Sequence, residues 1–197
     1  MKLFLCKIGF HIVINSGLYY LWSRLFRFLF ERKYKNTELT KFNYLQELEK
    51  ALSEMIWTQD LIGGIVDVIS SPQKVEYIWK NKDKKVGDCD DFAIYASNRL
   101  EEMKFRKVSK FKPYLMTINW LDKDNKFHGH NICLFFNPAT KKWGHIGNWF
   151  SGKAQMGFGS PVAIALWFAE QGGVGGRLIG YSVVSSNLKG FKESFVF

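Results

Sequence analysis

Cysteine is scarce in this chain: Cys6, Cys89 and Cys133 are the three among 197 residues. An odd, small number excludes a disulfide framework, and a chain of this length can bury a real core without one. Reduced thiols fit a cytosol-like compartment. Proline is also rare, at four residues, and no Pro- or Ser-rich linker or internal repeat divides the chain. Acidic residues are outnumbered, 18 Asp and Glu against 28 Lys and Arg, which leaves a net charge of +10. Such a surplus attracts polyanions at long range. It is scattered, however, between groups such as Arg24, Arg27, Arg32, Lys33 and Lys35, and Lys104, Arg106, Lys107, Lys110 and Lys112. No zinc-finger, helix-turn-helix or RNP signature accompanies it. The charge therefore reads as a solvated basic surface, and no specific nucleic-acid partner is expected.

A long hydrophobic run is missing too. The uncharged stretch of the N-terminus is 8–23, between Lys7 and Arg24, and it contains His11, Asn15 and Ser16. That is shorter than the roughly 20 residues a membrane span needs, and no small-x-small cleavage site follows it. Residues 1–36 read as an apolar, basic helical arm that packs or lies on a surface. The flanking Arg24, Arg27, Arg32 and Lys33 make peripheral membrane contact the alternative.

What the chain does have is aromatic mass: 17% of residues, with 18 Phe and 7 Trp. A ring-rich core or aromatic-lined cleft is expected. In "FNYLQELEKALSEMIW", residues 42–57, Leu45, Leu48, Leu52, Met55 and Ile56 fall at helical spacing. Ser71-Pro72 is a cap followed by proline at the first helical position, which predicts a helix through Trp79. Another helix is expected from Cys89 to Met103. Strand-like runs follow in "PYLMTINWL", "FHGHNICLFF" and "WGHIGNWF", separated by the turns "DKDN" and "NPATKK". "SPVAIALWFAEQ" reads as a helix capped by Ser160, and "RLIGYSVVS" as a closing strand. Helices first and antiparallel sheet afterwards define an α+β domain over 37–197.

The unusual stretch is "KVGDCDDFAIYASNRL", residues 85–100, where one thiol stands among Asp88, Asp90 and Asp91 at the start of a helix. Asp88 suits the N-cap, and Asp91 the reciprocal capping position. The helix dipole favours a thiolate at Cys89, while the aspartates oppose it. A reactive thiolate there needs a cationic partner, most simply an imidazolium. Of the four histidines, His130 opens the apolar strand "HNICLFF" and is the best placed. Asn148, in the next run, could orient the imidazole. "HGHNIC" also suggests a zinc trio of His128, His130 and Cys133, but alternation on a strand points Cys133 away from the other two. The three aspartates lack the glycine and distal Glu of a calcium loop.

"GDCDDFA" resembles the active-site segment of the transglutaminase-like cysteine-enzyme superfamily, including its bacterial and phage peptidase branches. "SPQKVEYIWKNKDKKVGDCDDFA" resembles that family's approach to the cysteine, and "GHNICLFF" its histidine strand. The likeness covers roughly residues 70–150. It implies a papain/transglutaminase-like core in which the cysteine-bearing helix packs on an antiparallel sheet. It further implies Cys89 as nucleophile and His130 as base, with Asn148 in the third place, where many relatives carry Asp; Gly147 is the competing match. The implied chemistry is thiol-dependent acyl transfer, chiefly hydrolysis of a peptide or amide bond in a protein or peptide substrate. No metal or organic cofactor is required, and a cytoplasmic or virion-associated setting is expected. The alternative is a catalytically degenerate domain of this kind, used as a binding or virion-assembly module.

Overall fold

The computed structural model describes residues 31–58, 70–81, 84–173, 176–186 and 191–196. Over these runs the fold is α+β, with helices packed on an antiparallel sheet. Residues 1–30, which carry most of the expected arm with its membrane-surface contact, lie outside the described residues, as do Cys6 and His11. The end of the arm is part of the packed unit. Glu31 is buried, accepts a hydrogen bond from the Ser71 amide at 2.8 Å and meets Lys74 Nζ at 3.5 Å. The Tyr34 ring stacks at a tilt on Tyr77, centroids 5.1 Å apart. Among the described residues no helix is long and apolar enough to cross a membrane.

Helix α1, Leu45–Glu54, begins where Glu47 accepts from the Asn43 and Tyr44 amides at 2.6 and 3.4 Å. That carboxylate satisfies donors a helix start leaves unpaired. Its apolar stripe, Leu48, Ala51 and Leu52, is buried, Glu47 and Lys50 are exposed, and Glu49 accepts from the Ala154 amide at 2.8 Å. A two-residue strand β1, Ile56–Trp57, pairs in parallel with β2, Lys85–Gly87. Between them runs α2, Pro72–Asn81, with proline at its first position and the Ser71 hydroxyl accepting from the Lys74 amide at 3.3 Å. Helix α3, Cys89–Phe105, follows β2 directly.

Strands β3, Lys112–Leu121, β4, Phe127–Asn137, and β5, Lys142–Ile146, form the expected meander. The chain then makes a 3-10 turn at Trp149–Gly152, where Phe150 and Ser151 take left-handed φ values of 57° and 53°. Edge strand β6, Gln155–Phe158, precedes α4, Pro161–Gly173, whose Ala163 amide donates to the Ser160 hydroxyl at 3.3 Å. Strands β7, Arg177–Ser185, and β8, Phe191–Val196, complete a six-stranded sheet ordered β6-β5-β4-β3-β7-β8.

The sheet is covered on both faces, and this decides where every side chain of β4 goes. On one face Phe92, Tyr95, Ala96, Leu100 and Met103 of α3, together with α1, enclose Cys133, Phe135 and Ile146. On the other, Ile164, Ala165, Phe168 and Ala169 of α4 enclose Ile118, Trp120, Ile132 and Leu134. Alternation assigns odd-numbered residues of β4 to the α3 face and even-numbered ones to the α4 face. Its pairing with β3 runs without a shift from Lys112↔Phe136 to Leu121↔Phe127.

Candidate functional site

The start of α3 is built as its residues require. Asp88 is extended and its carboxylate accepts from the Asp90 amide at 3.1 Å, the N-cap bond. Cys89 follows, half-buried and not in a disulfide. Asp91 is buried, and its Oδ1 accepts from the Ser70 amide at 2.6 Å, tying the entry of α2 to the first turn of α3. Gly87 makes room for that carboxylate: it has φ +138°, and a Cβ there would overlap the Asp91 side chain. Gly87→Ala is therefore expected to lower stability by about 2 kcal/mol or more. Gly157→Ala, at φ +103° with nothing within 4 Å, carries backbone strain alone. The difference between the two urea midpoints isolates the displaced Asp91; equal midpoints would show that Asp91 is not pinned.

Carboxylate oxygens of Asp88, Asp90 and Asp91 lie within 4.8 Å of one another. A thiolate at Cys89 would join three acidic groups, so the dipole of α3 alone is a weak activator there. Cys133 does not substitute, since full burial raises its thiol far above the usual range.

His130 and the helix that Cys89 heads belong to opposite faces of the sheet. His130 is an even-numbered residue of β4 and faces α4. Its ring lies 4.7 Å from Trp149 and 5.4 Å from Phe168, centroid to centroid. Cys89 heads the helix that covers the other face. On that face β4 presents Gly129, Asn131 and Cys133, and Asn131 Oδ1 accepts from the Thr117 hydroxyl at 2.6 Å. Burial, with a smaller contribution from His145, pushes the His130 pKa down to about 3. It stands as a neutral imidazole whose Nε2 has no hydrogen-bond partner.

Asn148 departs from the expectation in two ways. Strand β5 ends at Ile146, and Asn148 begins the 3-10 turn instead of extending the strand. Its buried Oδ1 accepts no hydrogen bond, so it does not orient the His130 ring. Gly147, the competing third position, is buried beside Ile132 and Asn131. His128, at the start of β4, pairs through Nε2 with Asp122 at 2.8 Å and stacks on Trp120.

Sequence reasoning attached no role to His145. The structure places it on the α4 face as well, paired in register with Leu134 and only 2% exposed. Its ring lies 4.8 Å from Phe168 and 5.3 Å from Trp167. The available signal was parity, since His145 lies two residues from Trp143, another α4-face residue. Comparison with family models, with curated proteins and with solved structures finds no match to this chain.

Proposed function

We propose that this chain is a catalytically degenerate transglutaminase-like domain that binds a protein or peptide without cleaving it. A helix headed by cysteine and packed on an antiparallel sheet supports the layout of that core. The observation that carries the loss of catalysis is the placement of His130 on the α4 face, neutral and walled by Trp149 and Phe168. A Cys–His pair needs the imidazole within hydrogen-bond reach of the sulfur, and the ring contacts of His130 lie on the α4 face, opposite the core that α3 covers.

The second reading is amide hydrolysis or acyl transfer by Cys89, His130 and Asn148. In its favour is the thiol on the first turn of a capped helix, where the positive end of the helix dipole suits an oxyanion. It requires β4 to slip by one residue, because such a slip exchanges the faces of all its side chains.

Alkylation of Cys89 by iodoacetamide, followed against pH in the full chain and in folded His130→Ala and Asn148→Ala variants, separates the two. The binding-module reading expects the three profiles to coincide. A profile displaced to higher pH by a full unit or more in His130→Ala would restore the catalytic pair.

A further inference from the structure

Two imidazoles are buried in the core between the sheet and α4, and neither is compensated. His130 is 5% exposed and His145 2% exposed, and the Nε2 of each lacks a partner. Phe168 stands against both rings, at 5.4 and 4.8 Å. Trp149 also stands against His130, beside Phe168, and Trp167 and Phe158 stand against His145. An imidazole sealed among rings has little to stabilise a positive charge, because desolvation disfavours the charged form.

The ionisable groups on the surrounding elements do not relieve this. In the turn between β3 and β4, Asp122 is engaged by His128. Lys112 at the start of β3, Lys142 on β5 and Arg177 on β7 are exposed, as are Lys153 beside the 3-10 turn and Glu170 on α4. Tyr181 of β7 is buried in the same core. No described carboxylate acts on either ring, and the charge that bears on His130 is the second imidazole, which repels it.

We propose that His130 and His145 form an acid-sensitive latch: protonation below neutral pH releases the α4 layer and the 3-10 turn from the sheet while the α3 layer stays in place. The two cores lie on opposite faces and share no histidine, so the proton load falls on one of them. Burial and the neighbouring imidazole hold the His130 pKa at about 3, and burial holds that of His145 at about 4. An exposed histidine titrates near 6.5. Both folded values are depressed, so the closed layer is fully favoured above pH 6.5 and loses ground as pH falls below it. Release would expose the aromatic rings of Trp149, Trp167 and Phe168 at low pH. The latch stands whether or not Cys89 is catalytic.

Hydrogen exchange read by mass spectrometry on the full chain tests this, with rates corrected for intrinsic chemistry at pH 7.5 and 5.0. Residues 149–173 are compared with 89–105. Each histidine should contribute about a 30-fold loss of protection to 149–173, or on the order of 1,000-fold together. The loss in 89–105 should be at least tenfold smaller. His145→Leu should retain about 30-fold, and the His130→Leu/His145→Leu double variant should show no differential loss. If the double variant does not fold, the wild-type comparison and the histidine NMR titration decide. Equal loss in both segments, no loss in 149–173, or native imidazoles titrating near 6.5 would each overturn the latch.

Discussion

Phe168→Ala is expected to lower the unfolding free energy by about 3–5 kcal/mol. The ring is fully buried and sits at the centre of the α4 core. Its centroid lies within 5.4 Å of His130, His145, Trp149 and Trp167. Removing it deletes the transfer energy of the ring and leaves a cavity whose walls are other rings and two strands, which collapse poorly. For a domain of this size the melting temperature should fall by roughly 6–20 °C. Circular dichroism melts at pH 7.5 measure it, and a loss below about 1 kcal/mol would mean that α4 is not the lid of this core. Alanine also opens space beside the two imidazoles, so their titration, followed by NMR, should move up from the depressed values toward 6.5.

The second large effect lies on the opposite face. Glu76 of α2 is fully buried and accepts from the Thr40 hydroxyl and the Tyr95 hydroxyl, each at 2.5 Å. Lys80 Nζ, one turn on, lies 2.8 Å away. Burial raises the Glu76 pKa, but the bonds from Lys80, Thr40 and Tyr95 outweigh it and leave the carboxyl below its ordinary value. Tyr95 is correspondingly held as a neutral phenol, by burial first and then by the Glu76 charge. Arg99 is buried nearby and donates to the Thr40 carbonyl at 3.1 Å.

Glu76→Ala strips the acceptor from the buried Tyr95 hydroxyl and the half-buried Thr40 hydroxyl, and removes the negative charge at the centre of this network. Losing one partner of a buried ion pair costs about 3–5 kcal/mol. Lys80 is 44% exposed and returns to water when unpaired, so the low end, about 3 kcal/mol, is expected. Glu76→Gln keeps an acceptor for Tyr95 and should cost about 1–2 kcal/mol. Urea titrations at pH 7.5 order the two. The contribution of an ionised Glu76 is present above the ordinary carboxylate range and fades as pH falls through its lowered pKa. The gap between wild type and Glu76→Gln should therefore narrow in acid. A gap that stays constant to low pH would mean that the carboxyl is not ionised in the folded protein.

The chain by itself determined its helices and most of its sheet. Pro72 after Ser71, Asp88 before Cys89 and Pro161 after Ser160 are local capping signals, and all three helices start where those residues stand. The meander from β3 to β5 was legible because its turns are polar and its strands rich in β-formers. The parallel pairing of β1 with β2 was not, because two residues carry no periodicity and their partners lie across α2. Edge strand β6, "QMGF", has no alternation to detect.

Only the tertiary structure decided the site. "HGHNICLFF" is apolar at both odd and even positions because β4 is covered on both faces, so its pattern could not say which face α3 would take. Packing put Cys133 and Phe135 under α3 and left Ile132, Leu134 and His130 to α4. The side a strand residue faces follows from which helix lands on that side, and no local signal in the strand encodes it.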